Sequence, residues 1–170
     1  MRKLHFLKTL LDLFWFFLIC ALIGLTITVP IMVFSSEPFD LPVKINGQTL
    51  TIVDLPSKIM MCILLVSSWS FGYGVYLLRQ LLSNFSKRKI FEATSIALLN
   101  KIGKCFLITS LLTSIPAFFY KIFVKNSLEV DFGGGFESFL FTASLGLFFM
   151  VLSEVFTVGK SIKEENELTV

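Results

Sequence analysis

Four stretches of this chain are apolar for as long as a helix needs to cross a bilayer, and that governs every other reading. A hydrocarbon core of about 30 Å takes roughly 20 helical residues at 1.5 Å each. Segments at about 10–34, 59–78, 105–124 and 138–158 meet that length. The first, LLDLFWFFLICALIGLTITVPIMVF, follows Arg2, Lys3 and Lys8 in the manner of a secretory signal. Its apolar run, however, far exceeds the roughly 7–15 residues of a signal's middle region, and no small-x-small cleavage pattern follows. It reads as a retained anchor. The expected fold class is an all-α membrane protein, a four-helix transmembrane bundle within a single integral membrane domain over 1–170.

Composition supports lipid as the solvent. Hydrophobic residues make up 55% of the chain and charged ones 16%, against the quarter or so that a water-facing surface carries. The net charge of +3 arises from clusters between apolar runs, not from a basic stripe, so direct nucleic-acid binding is not expected. Cys20, Cys62 and Cys105 are scattered without a C-x-x-C spacing and read as small apolar fillers.

Lysine and arginine near the spans set the orientation. One side receives Arg2, Lys3, Lys8, Arg79, Lys87, Arg88, Lys89, Lys101, Lys104, Lys160 and Lys163; the other receives only Lys44, Lys58, Lys121 and Lys125. Eleven against four predicts a cell-membrane protein with both termini cytoplasmic.

The connections differ in kind. In the outer loop 35–57, Asn46-Gly47 stands between the β-type runs Val43–Ile45 and Thr49–Val53, and Asn-Gly favours the positive backbone angles of a tight hairpin. Leu128, Val130 and Phe132 alternate in the second outer connection and suggest a third strand, ahead of Gly133, Gly134 and Gly135. A small extracytoplasmic β-hairpin cap is expected. On the inner side, Phe91, Ser95, Leu98 or Leu99, Ile102 and Phe106 recur every three to four residues. That period describes an amphipathic helix over 90–103 lying at the cytoplasmic membrane surface and covering the inner ends of the bundle.

Chemistry-bearing residues are few. Glu154 lies about a turn and a half from the inner end of the fourth span, and Arg79 ends the second span at a compatible depth. An intramembrane ion pair Arg79–Glu154 is therefore expected. Asp12, at the inner end of the first span, is expected to reach water. No polar residue beyond hydroxyls and Cys20 occupies the centre of the spans, which disfavours an ion path. His5 is the only histidine and has no carboxylate cluster beside it, so no metal site is expected.

Enzyme logic also fails. The three cysteines sit at three depths and cannot meet as a thiol oxidase requires, and no G-x-S-x-G elbow is present. No catalytic or cofactor-binding residue is assigned. Small residues four apart (Ser68 and Gly72, Ser70 and Gly74, Ser110 and Ser114, and Ser138, Thr142 and Gly146) predict close helix packing, within one chain or between two. A homo-oligomer thus stays open. Pro30 and Pro116 are candidate kink sites.

The inner string KIFEATSIALLNKIGK, with Phe91, Ile96, Leu99, Ile102 and Gly103, resembles a pattern of the bacterial membrane family known as domain of unknown function 2975. The closing string GKSIKEENELTV is similar to that family's last signature through Gly159, Ile162, Glu164, Glu165, Leu168, Thr169 and Val170. The chain departs from the pattern at Arg88, where the family tends to carry glycine, and at Ser95, where it tends to carry asparagine. The resemblance covers essentially the whole chain. It implies a four-span protein without assigned chemistry, often encoded beside a small helix-turn-helix regulator.

The tail 159–170 continues the fourth helix, with Lys160 four before Glu164 and Lys163 four before Glu167, pairs that each support a helix by a few tenths of a kcal/mol. Its acidic residues Glu164, Glu165 and Glu167 are expected on the same side as Lys87, Arg88 and Lys89, together forming a cytoplasmic docking platform. The expected function is that of a non-enzymatic sensor or regulatory partner of a helix-turn-helix regulator. The alternative is a small-solute permease or immunity-type membrane protein.

Overall fold

An apolar segment inside lipid has no water for its peptide groups, and a helix satisfies them all within itself. The computed structural model, which describes residues 2–34, 44–45, 48–49, 55–87, 89–125 and 136–168, is built accordingly. Its helices are α1 (Arg2–Phe34), α2 (Leu55–Ser86), α3 (Ala93–Lys125) and α4 (Phe136–Leu168). Each contains a stretch long and apolar enough to cross a membrane: Phe6–Phe34, Leu55–Ser86, Ala93–Tyr120 and Ser138–Asn166. α1 and α3 run on through Pro30 and Pro116.

The helices are longer than a bilayer demands. Thirty-three residues, the length of α1, α3 and α4, span about 50 Å. The excess lies largely at the end where the basic residues gather. There α1 starts, α2 ends, α3 starts and α4 ends.

Successive helices are antiparallel, as their contacts show. Trp69 Nε1 on α2 donates to Thr26 Oγ1 on α1 at 3.1 Å. Ser67 Oγ meets Thr113 Oγ1 at 2.7 Å and Ser57 Oγ meets Tyr120 Oη at 2.8 Å, both joining α2 to α3. Ser153 Oγ on α4 donates to the Ile96 carbonyl on α3 at 2.9 Å. In lipid such bonds tie neighbouring helices together where no water competes for the hydroxyls.

Among the described residues, helix backbones approach closely only between α1 and α2, α2 and α3, and α3 and α4. The arrangement is thus an open array in which α1 leans on α2 alone. At the basic end α2, α3 and α4 share one core, in which Leu77, Leu81, Leu98, Leu99, Ile102 and Phe106 are buried. A second, smaller cluster of Val29, Met32 and Met61 joins α1 to α2 at the opposite end.

Two expectations need correction here. The segment 90–103 is not a separate helix at the membrane surface: from Ala93 onward it is the first part of α3, with Ser95, Leu99 and Ile102 fully buried at 0% exposure. Its apolar stripe faces α2 and α4 instead of lipid, and periodicity cannot tell those two surroundings apart. In the outer loop, β1 (Lys44–Ile45) and β2 (Gln48–Thr49) form an antiparallel ladder with Lys44 opposite Thr49 and Ile45 opposite Gln48. The ladder brackets Asn46-Gly47 as a hairpin does, but no helix comes close to it among the described residues. The rest of that loop, and the third strand expected at 128–132, lie outside the described residues.

Candidate functional site

The residues that set this chain apart converge on the α2–α3 turn and the stretch of α4 behind it. The turn is tied by its own polar groups. Asn84 closes the end of α2 by accepting the Lys87 and Lys89 amides on its carbonyl, each at 3.0 Å. Ser95, wholly buried, donates its hydroxyl to the Lys89 carbonyl at 2.6 Å and lies 3.5 Å from Asn84 Nδ2. A short hydroxyl at this position therefore holds the turn to the start of α3. Lys89 Nζ reaches Glu92 at 3.1 Å within the same turn.

Packing then fixes the turn to α4. The Phe91 ring lies 5.6 Å from Phe156, centroid to centroid, and Phe85 lies 6.0 Å from the same ring. A Cβ on Gly159 would come within 2.9 Å of Phe91, so glycine is what lets that ring lie against α4. Deeper in, α3 and α4 cross at Gly103 and Gly146. A Cβ on Gly103 would lie 2.6 Å from the Gly146 carbonyl oxygen, and one on Gly146 would lie 2.9 Å from the Gly103 carbonyl oxygen. Phe91, Ile96 and Gly103 of the inner string thus meet the helix that ends in the closing string, and Phe91 touches Gly159 at its start.

The small-residue spacing in α2 divides between two neighbours. Gly72 faces Leu22 and Leu18 of α1, whereas Gly74 faces Phe106 and Cys105 of α3. With Gly146 against Gly103, all three glycines serve contacts within one chain.

The expected ion pair is corrected. Arg79 Nε donates to Asp12 Oδ1 across the α1–α2 interface, with side-chain exposures of 43% and 35%. Glu154 is exposed on α4 and is not paired with Arg79. Matching depth was a sound criterion, but it leaves the neighbour undetermined. Consecutive helices are usually adjacent, and that rule points from Arg79 to Asp12. The pair is half exposed, so its worth is on the order of 1 kcal/mol. Asp12→Asn and Arg79→Gln should each lower stability in detergent by that amount, and the double substitution should cost little more than either. Glu154→Gln should be silent in the same melting experiment.

The expected platform is placed only in part. Lys87 is exposed and Lys89 is paired with Glu92; Arg88 lies outside the described residues, as does the side chain of Glu167. Glu164 pairs with Lys160 at 3.4 Å, the spacing of four read from the sequence. The turn and α4 are joined by the Phe91 contacts and not by charge pairing of Lys89 with Glu164. Beyond Gly159, α4 continues from Lys160 to Leu168, about 13 Å of helix past the turn. Glu164 and Glu165 stand exposed on it. Among the described residues no three of His, Cys, Asp or Glu gather as a metal would require.

The family model described as "Protein of unknown function (DUF2975)" matches residues 10–170. Neither the curated proteins nor the solved structures contain a match.

Proposed function

The chain belongs to the DUF2975 family of proteins of unknown function, and on that footing we propose that it is a non-enzymatic membrane regulator that docks a cytoplasmic protein at its basic end. The basic end faces the cytoplasm in this reading, with both chain ends there and the cell membrane as its location. The observation that carries the proposal is the extension of α4. A helix that only had to cross lipid would stop near the α2–α3 turn. This one continues for nine residues beyond Gly159 and changes there from apolar to charged. The partner-binding residues are Lys87, Arg88 and Lys89 at the turn with Glu164, Glu165 and Glu167 on the extension. Regulators encoded beside members of the family, as the resemblance implies, are the expected occupants: small helix-turn-helix proteins.

Crosslinking in native membranes followed by purification of the full chain tests this. A helix-turn-helix protein should be recovered with the intact chain, and at least about tenfold less of it with a chain lacking Glu164–Val170 that still inserts. Equal recovery from both chains would sink the docking role. Reporter fusions at the two ends test the orientation independently, since an active periplasmic reporter at either end contradicts it.

A further inference from the structure

The exposed face of α3 changes character along its length as a single phospholipid does. Taken every three to four residues it runs Lys101, Lys104, Ile108, Leu111, Ile115 and Phe118. The apolar part, Ile108 to Phe118, rises about 15 Å, one leaflet's share of a core about 30 Å thick. The two lysines follow where acyl chain gives way to headgroup. Their depth agrees. A Cβ on Gly74 would lie 3.3 Å from Cys105 Cβ, so Lys104 is level with Gly74. Arg79 stands five residues further along α2, about 7 Å nearer the basic end. A lysine side chain covers such a gap by extending toward the headgroups. Lys101 lies closer still to the level of Arg79.

Among the described residues neither lysine has a carboxylate partner, unlike Lys89 and Lys160. Beside them stands the one enclosed polar side-chain atom without a hydrogen-bond partner among the described residues, Asn100 Oδ1. The amide nitrogen is not among the enclosed atoms, so it is the atom of this side chain that can donate outward. Glu154 is set apart from this group. Ser153 opposes Ile96, so Glu154 lies about 7 Å further toward the basic end than Asn100.

We propose that Asn100, Lys101 and Lys104 form a binding site for an anionic phospholipid whose headgroup carries hydroxyls. The lysines hold the phosphate, and the Asn100 amide nitrogen donates to a headgroup hydroxyl oxygen. The apolar face from Ile108 to Phe118 lies along an acyl chain. Basic positions at the inner end of membrane helices recognise anionic headgroups on general grounds, and the amide adds a preference for the hydroxylated kind.

The test uses the purified full chain in neutral detergent, with heat unfolding followed as lipid is titrated. Phosphatidylglycerol should raise the midpoint, whereas phosphatidylcholine with the same acyl chains should not. Lys101→Gln with Lys104→Gln should shift the half-saturating phosphatidylglycerol concentration upward by at least about tenfold. Lys101→Arg with Lys104→Arg should keep it within about twofold, which separates lost charge from lost fold. Asn100→Leu should remove the preference for phosphatidylglycerol over phosphatidic acid, whose headgroup lacks the hydroxyls. Unchanged half-saturation in the double glutamine variant overturns the site. So does an equal response to phosphatidylcholine, and so does the same midpoint rise with soluble glycerol phosphate alone.

Discussion

Gly103→Ala should force α3 and α4 apart and cost the largest stability of any single-methyl change in this protein. The added carbon would stand 2.5 Å from Met150 Cγ, 2.6 Å from the Gly146 carbonyl oxygen and 3.1 Å from the Met150 amide nitrogen. The methionine side chain can turn away; the two backbone atoms cannot. Overpacking of this kind costs about 1–3 kcal/mol where neighbours yield, and here the yielding element is a whole helix. Gly146→Ala should behave alike, because its Cβ would meet the Gly103 carbonyl oxygen at 2.9 Å and Leu107 Cγ at 3.0 Å. Once one substitution has separated the helices, the second meets less resistance, so the double variant should lose less than the sum. Gly24→Ala supplies the contrast. Nothing lies within 4 Å of its Cβ position, and alanine is favoured over glycine inside a helix by roughly 0.5–1 kcal/mol. Heat unfolding in detergent should place Gly24→Ala at or above the parent and Gly103→Ala well below it. Equal midpoints for the two would mean that the helices do not cross as described.

The second large effect belongs to Leu99 and Ile102. Both are at 0% exposure in the core that α2, α3 and α4 share. Truncation to alanine removes three carbons from either side chain and leaves a cavity that the surrounding helices can only partly close. Losses of about 2–5 kcal/mol are expected. Ile108→Ala, on the same helix but 49% exposed, should cost far less, since lipid chains fill the space it leaves. Reversible unfolding in mixed micelles measures the difference. If Leu99 and Ile102 proved as tolerant as Ile108, the segment 93–103 would lie on the membrane surface and not inside the array.

That contrast also explains which parts of the molecule were readable in advance. The number and order of the spans follow from apolar length alone, because only a helix of some 20 residues satisfies its own backbone across the hydrocarbon. The ends of the helices do not follow from it. α2 continues from Arg79 to Ser86 and α3 begins at Ala93 because Leu81, Leu82, Leu98 and Leu99 pack at the basic end. A lipid-length criterion is blind to protein packing beyond the bilayer. The stripe of Phe91, Leu99, Ile102 and Phe106 was visible, but its surroundings were not, since core and interface both ask for one apolar face.

The polar clamps were missed for a related reason. Ser67, Thr113, Ser153 and Thr26 are hydroxyls in apolar runs, and nothing local distinguishes one bonded across helices from one bonded back to its own turn, as Thr142 is to Ser138. The signatures at Gly103 and Gly159 were legible as strings. That they serve the docking of α3 and the turn on α4 emerges only once the carbonyl of Gly146 and the ring of Phe91 are in place.

The serial placement of the helices bears on how the chain is made. Because, among the described residues, α1 approaches no helix backbone but α2, it can meet that neighbour as soon as the next segment has been synthesised. α3 then completes the other face of α2, and α4 arrives last against a partner already in position. Contacts so local in sequence make assembly fast and leave few unpaired stages, so each newly released helix can settle against its predecessor before the ribosome has finished the one that follows.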